Sequence, residues 1–155
     1  MKDLSIQWQC KYFNDLTNLE LYQILKLRSL VFVVEQNCVY QDIDDIDINC
    51  YHFFATNQNN EIVAYTRLIA PTVVYHEMSI GRVITHPNFR KLQLGKQLIA
   101  NSILQCFKLF GKGAIKIGAQ LYLKKFYEGF GFIKSSDIYL EDGIEHIKMI
   151  RSLDY

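Results

Sequence analysis

The chain has 155 residues, half of them apolar, with 17 basic against 16 acidic side chains and a net charge of +1. That length suits one domain with a full hydrophobic core, and the near balance of charge argues against a nucleic-acid binder working through a broad positive face, local patches such as Lys124–Lys125 aside. No apolar run approaches the roughly 18 residues needed to cross a bilayer, and "MKDLSIQWQCKYF" lacks a secretory apolar region and cleavage site, so a cytoplasmic protein without membrane or nucleic-acid partners is expected.

"LSIQWQCKYF" alternates apolar and polar residues and reads as a first strand. "LTNLELYQILKLRSLVF" then takes up helical spacing, with Thr17 and Glu20 forming a capping box and Leu21, Ile24, Leu25 and Leu27 supplying most of the buried stripe. The acidic run "DIDDID", 42–47, invites a calcium reading. An EF-hand loop starting at Asp45 puts Asp47 and Asn49 correctly, but finds Cys50 and Thr56 where it needs Gly and Glu, so no metal is expected. Two readings of this run stay open: a solvated loop, or a substrate-facing loop attracting a cationic amine. Arg28 is a candidate partner for the run, and His52 reads as a satisfied structural histidine.

"CYHFFAT" and "EIVAYTRLIA" flank the polar "NQNN" as a β-hairpin. "MSIGRVIT" is a further strand, stopped by His86-Pro87. After "NFRKLQLGKQLI" comes a helix from about Gly95 to Phe110, burying Leu98, Ile99, Ile103, Cys106, Phe107 and Phe110. "AIKIGA" is a short strand and "AQLYLKKFYEGF" a second helix, ended by Gly131. "FIKSSDIYL" and "IEHIKMIRS" close the chain as two strands about a turn at Glu141-Asp142-Gly143. The strand–loop–helix–strand segment in the middle is a crossover unit, so its two strands should be parallel neighbours. Cys10, Cys38, Cys50 and Cys106 show neither CxxC pairing nor metal-ligand spacing, and read as reduced thiols.

The junction after "MSIGRVIT" carries Arg90, Lys91, Gly95 and Lys96 at a helix start, whose unpaired amides and partial positive charge suit a phosphate. Both GxxxxGK[ST] and GxGxxG are absent, and basic residues at such a junction are usually only solvated. In "AQLYLKKFYEGFGF" the rings of Phe126, Phe130 and Phe132 read as core. Tyr127 differs in carrying a hydroxyl that can give a proton to a leaving group.

Taken together, these stretches resemble the signature of the GNAT superfamily of acyl-CoA-dependent N-acyltransferases. "VITHPNFRKLQLGKQLI" is similar to its [Q/R]-x-x-G-x-[G/A] pyrophosphate motif, with Arg90 at the first position and Gly95 at the last. "AQLYLKKFYEGFGF" resembles the later motif whose tyrosine serves as general acid. "LKLRSLVFVVEQNCVYQDIDDID", "IGRV" and "YLEDGIEHIKM" resemble the ElaA-like branch, and matching stretches run in order from about Leu21 to Met149.

The resemblance implies a single α/β domain over residues 1–155, with a mixed, mostly antiparallel central sheet, flanking helices and a central β-α-β cofactor-binding unit. It implies acetyl-CoA as co-substrate, no metal, and direct acetyl transfer to a primary amine of a small molecule or peptide. Val83, Ile84 and Thr85 would pair with the pantetheine arm, and a strand amide near Val83 or Ile84 would polarise the thioester carbonyl. The loop amides of Lys91, Leu92, Gln93, Leu94, Gly95 and Lys96, beside Arg90, would hold the pyrophosphate, and Tyr127 would protonate the departing thiolate. Gln93 stands where the family has its first glycine. The grip survives that departure if φ stays negative there and the side chain turns outward. The general base stays open among Glu35, Glu77, His76, Asp142, His146 and a water chain, Glu77 having the best location near the start of the central strand. Two other readings are a non-catalytic acyl-CoA-binding module and, from "LRSLVF" near the end of the first helix, an acyl-homoserine-lactone-synthase-like enzyme. The oligomeric state is open, a homodimer included.

Overall fold

A computed structural model describes residues 5–154. Met1 to Leu4 and Tyr155 lie outside the described residues, and with them the start of the expected first strand, part of the stretch read for a leader and the ends of the expected domain. The elements are β1 (Gln7–Tyr12), α1 (Asn18–Arg28) continued by a π-helical Ser29–Glu35, β2 (Tyr51–Thr56), β3 (Ile62–Ile69), β4 (Ser79–Thr85), α2 (Leu94–Phe110), β5 (Ile115–Gln120), α3 (Lys124–Glu128), β6 (Ile133–Lys134), β7 (Tyr139–Glu141) and β8 (Ile144–Arg151).

The capping box forms as its sequence predicts. Glu20 N donates to Thr17 Oγ1 at 3.1 Å and Thr17 N to Glu20 Oε2 at 2.9 Å, satisfying two amides that α1 would otherwise leave open. Ile24 and Leu27 are buried, Leu21 and Leu25 only half-buried, and the face gains a residue that apolar periodicity omits: Arg28, fully buried. On α2, Leu98, Ile99, Ile103 and Cys106 are buried as expected, while Phe107 and Phe110 are half-buried.

Strands β1 to β4 form one antiparallel sheet in chain order; β5, β6 and β7 each pair antiparallel with β8 in a second. The first sheet is covered on both faces. Phe53, Ala55, Leu68 and Ile80 pack with Leu94, Leu98, Ile99 and Cys106 of α2, and this cluster continues into Ile117, Ile147 and Met149 of the second sheet. Phe54, Tyr65 and Ile84 pack with Ile24, Leu27 and Val31.

Two expected elements are reshaped. The strand read in "FIKSSDIYL" is broken into β6 and β7, because the Ser136 hydroxyl takes the Lys148 amide at 2.8 Å in place of a ladder carbonyl. The helix read in "AQLYLKKFYEGF" starts late: Ala119 and Gln120 stay in β5, opposite Ile147 and His146, and Leu121–Leu123 form a 3-10 turn before α3.

Strands β4 and β5 are parallel, as the crossover requires, but they meet only at their starts. Met78 and Ile115 form an isolated parallel bridge, and the Lys116 amide donates to the Met78 carbonyl at 2.9 Å. Beyond that point the strands separate and open a wedge-shaped cleft of about 760 Å³ between the two sheets.

Candidate active site

The walls of the cleft are the facing edges of β4 and β5, so the backbone groups that β4 turns toward it have no strand partner among the described residues. The β4 edge is also irregular. Tyr65 pairs with Ile84 and Arg67 with Gly81, so Thr66 alone faces both Arg82 and Val83. Two residues against one is a β-bulge, which leaves one residue unpaired and turns the strand. Arg82 carries the distortion, with φ at +53° in the left-handed region, a conformation costing a non-glycine residue about 1–2 kcal/mol.

Such strain persists only where surroundings enforce it. Here the Arg82 Nε donates to Asp42 Oδ1 at 2.7 Å and its Nη2 to the Asp42 carbonyl at 3.0 Å. Phe32 and Tyr40 lie 5.9 Å from the guanidinium. Asp42 in turn takes the Nε of the buried Arg28 at 2.8 Å, Arg28 reaches Asp47 at 2.6 Å, and Arg67 bonds Asp44 at 2.6 Å and Asp47 at 2.8 Å. Three arginines therefore consume the carboxylates of "DIDDID" other than Asp45. This corrects the reading of the run as a loop that attracts a cationic substrate, and makes it a structural clamp on the bulge. Arg28 pairs with the run as expected. His52 is a satisfied core histidine, its two ring nitrogens 2.8 Å from the Tyr65 hydroxyl and the Asp47 carbonyl.

At the far end of β4, a 3-10 turn (Pro87–Leu92) leads to Gln93 and α2. Val83, Ile84, Thr85, Arg90 and Gly95 line the cleft. Lys91, Leu92, Gln93 and Lys96 are exposed, and the Leu94 side chain is core, so only its backbone is available to a ligand. The expected negative φ at Gln93 is not found: φ is +59° and ψ 14°. A left-handed residue here turns the chain out of the 3-10 turn and into α2. The Gln93 carbonyl accepts from Lys96 N and Gln97 N, but its side chain makes no cap bond. The amides at the start of α2 are thus left without a side-chain cap, as an anion-binding helix start requires. A Cβ on Gly95 would meet only Phe126 Cζ at 3.9 Å and Thr85 Cγ2 at 4.0 Å. The glycine is therefore not required by packing, and it leaves room for a ligand's phosphate oxygens.

Across the cleft, Tyr127 is buried and lines the wall. Its carbonyl closes a Schellman-type turn: Gly131 has φ of +85°, its amide donates to the Glu128 carbonyl at 3.0 Å, and the Phe132 amide donates to the Tyr127 carbonyl at 3.3 Å. The accompanying apolar contact is Tyr127 edge-on to Phe132, centroids 5.9 Å apart. The FYEGFGF stretch therefore fixes the tyrosine through its own turn chemistry. Burial raises the phenol pKa well above its ordinary value, so the hydroxyl keeps its proton.

Of the expected bases, Glu35, Asp142 and His146 line the cleft, while His76 and Glu77 do not. Glu77 precedes β4 at the end where β4 and β5 are joined, which corrects its favoured location. Glu35 is engaged by Arg90 at 2.6 Å. His146 Nδ1 lies 2.7 Å from the Ile144 carbonyl and Nε2 3.7 Å from Glu141. A carbonyl accepts only, so Nδ1 carries a hydrogen, and in the neutral imidazole Nε2 is the acceptor.

Several cleft residues carried no sequence signal. Gln36 and Gln120 bond each other at 3.2 Å, and Cys38 Sγ donates to the Asp142 carbonyl at 3.4 Å, tying the segment after the π-helix to the second sheet. Tyr75 and Lys148 meet at 2.7 Å. Only "IGRV", with its glycine and arginine inside a strand, hinted at the bulge. All four cysteines are free thiols, and burial pushes Cys10 up to about 11 and Cys50 and Cys106 to about 12. Among the described residues no cluster of His, Cys, Asp and Glu could hold a metal, and no helix is long and apolar enough to cross a membrane.

Comparison with known proteins accounts for this architecture. Residues 22–153 match the family model described as "Acetyltransferase (GNAT) domain". The chain is 39% identical over 150 residues to Protein ElaA of Escherichia coli, covering 96% of this chain and 97% of that one. It is also 39% identical over 147 residues to a UPF0039 protein of Synechocystis, covering 95% and 96%. A crystal structure of an acyl-CoA N-acyltransferase from Pseudomonas aeruginosa superposes with a TM-score of 0.91 at 37% identity, covering 96% and 100% of the two chains, and that of Escherichia coli ElaA with 0.85 at 38% identity, with the same coverage. An open β4–β5 wedge, a bulged β4, an uncapped α2 and full-length similarity to these relatives converge: the chain belongs to the GNAT acetyltransferase family, in its ElaA and UPF0039 branch.

Proposed function

We propose that the protein is an acetyl-CoA-dependent N-acetyltransferase that moves the acetyl group directly to a primary amine. The observation that carries this reading is the divergence of β4 from β5 beside the uncapped start of α2. The amide-rich pantetheine arm is suited to the free edge at Val83, Ile84 and Thr85, and the pyrophosphate to the loop amides of residues 91–95, beside the Arg90–Glu35 pair. Gly95 keeps that approach open.

In the transfer, the amine nitrogen attacks the thioester carbonyl carbon. A bulge amide near Val83 or Ile84 stabilises the oxygen as it becomes negative. The carbon–sulfur bond then breaks, Tyr127 gives its proton to the departing thiolate, and the second proton shed by the newly acylated nitrogen returns to the tyrosinate. An alkylammonium has a pKa near 10.4 and must first lose a proton. His146 accepts it at Nε2, and Glu141 steadies the imidazolium that results.

"LRSLVF" supplies the buried Arg28 and the start of the π-helix. The deciding experiment incubates the protein with acetyl-CoA and an amine panel while free thiol is followed. Amine-dependent thiol release is expected. Tight CoA binding with no release from any amine would instead make the protein a non-catalytic acyl-CoA-binding module.

A further inference from the structure

Three polar side chains converge over one glycine in the wall of the cleft. Gly118 of β5 is paired in register with Lys148 of β8. The Lys148 ammonium donates to the Tyr75 hydroxyl at 2.7 Å and lies 5.0 and 4.7 Å from the ring centroids of Tyr75 and Tyr139. The Tyr139 hydroxyl is buried beside the same ammonium and has no other hydrogen-bond partner among the described residues. A Cβ on Gly118 would lie 3.1 Å from the Tyr139 hydroxyl and 3.5 Å from both Lys148 Nζ and the Tyr75 hydroxyl. The missing side chain thus leaves a small cup lined by an ammonium and two phenols.

The charge of this cup selects its occupant. The other long cations of the cleft are matched: Arg67 with Asp44 and Asp47, Arg82 with Asp42, Arg90 with Glu35. Lys148 has a phenol and two rings but no carboxylate partner among the described residues. Burial works against its charge, yet the phenol oxygens outweigh that and hold its pKa above the ordinary lysine value. The Tyr75 oxygen already accepts from Lys148, so its own proton is free to point outward. An ammonium and two phenolic O–H groups form a donor-rich, cationic lining, which suits an anionic oxygen. A second amine would be repelled by Lys148.

We propose that this cup is the anion subsite of the acceptor: Lys148, Tyr75 and Tyr139 hold the carboxylate of an amino-acid-like substrate whose amine is acetylated. The inference rests on the acetyltransferase reading above. His146 and Lys148 share one face of β8 two residues apart, roughly 7 Å along the strand. A short aliphatic chain spans that distance, which places amine and carboxylate on one small molecule or at one end of a peptide.

The test follows thiol release from acetyl-CoA with ω-amino acids from glycine to 6-aminohexanoate, their primary amides and the matching aminoalkylphosphonates. Wild type should favour carboxylates over amides at least tenfold in kcat/KM. Lys148→Met should abolish that preference, Lys148→Arg should keep most of it, and the Kd for CoA should be unchanged in both. Equal rates for carboxylates and amides, a preference that survives Lys148→Met, or phosphonates outpacing carboxylates would each overturn the proposal. If no amine releases thiol although CoA binds, the acetyltransferase reading is what fails. Calorimetric titration of the same amino acids and amides into the CoA complex then decides the cup. Carboxylate-selective binding that is lost in Lys148→Met and in Gly118→Val supports it, and its absence overturns it.

Discussion

At position 93 a glutamine holds a backbone conformation that glycine enters freely, with φ of +59°. The cost is about 1–2 kcal/mol for a residue with a Cβ, partly offset by the smaller entropy a glutamine loses on folding. Gln93→Gly is therefore expected to stabilise the protein by about 0.5–1 kcal/mol in urea unfolding. The two proton-handling residues give different signatures. Tyr127→Phe should lower kcat by roughly 10²-fold or more with little change in the Kd for acetyl-CoA; an unchanged rate would remove the acid from Tyr127. His146→Asn should also slow turnover at neutral pH. Its deficit should shrink as pH rises toward the amine's own pKa near 10.4, where the free amine needs no base. A deficit constant with pH would place the proton acceptor elsewhere. Of these three residues, Tyr127 and Gln93 stood out in the sequence because each lies in a short motif, but the left-handed backbone at Gln93 did not, since a negative φ was expected there. His146 was one candidate among five, since its role depends on a backbone carbonyl two residues away that no spacing rule encodes.

Among the elements, the acidic segment and the bulged strand behave as one unit. Arg28 is fully buried between Asp42 and Asp47, and removing one partner of a buried ion pair costs about 3–5 kcal/mol because the other charge stays behind. Arg28→Met should lower stability by that order, read as a drop in the urea midpoint. The same unit sets the pH response. Burial pushes the Asp44 and Asp47 carboxyls up, but the bonds from Arg67 and Arg28 outweigh it and both titrate below their ordinary range. A folded pKa below the unfolded value of about 3.9 means that this stabilisation is present above about pH 4 and is lost as pH falls through the lower folded values. His52 acts earlier. Burial holds its pKa below 6.5, so the unfolded chain takes up that proton first and stability begins to fall below about pH 6.5. Urea midpoints between pH 3 and 8 should therefore decline in two stages, and a single acidic step would show that one of the two groups is not coupled to folding. The elements themselves were largely readable from periodicity and caps. Their failures have a common physical source: the Ser136 hydroxyl replaces a ladder carbonyl in the broken strand, and tertiary pairing with β8 keeps Ala119 and Gln120 out of the helix. Neither competitor is visible locally.

Across the whole molecule, the order of strands and the β-α-β crossover were legible, but the cleft that the crossover creates was not. Its acceptor side is assembled from Tyr75, in the loop before β4, and from Gly118, Tyr139 and Lys148 of the second sheet, residues that only the folded chain brings together. That meeting is slight. The described bridge between β4 and β5 is the Met78–Ile115 pair at the apex of the wedge, and the segment after the π-helix reaches the second sheet by Gln36–Gln120 and Cys38–Asp142. A wedge fastened at its apex and laced at its mouth can breathe without unfolding either sheet. Amide hydrogen exchange should register that breathing along β5, and a ligand lying between the strands should suppress it, acting as the missing rungs of a ladder that the chain itself leaves unfinished.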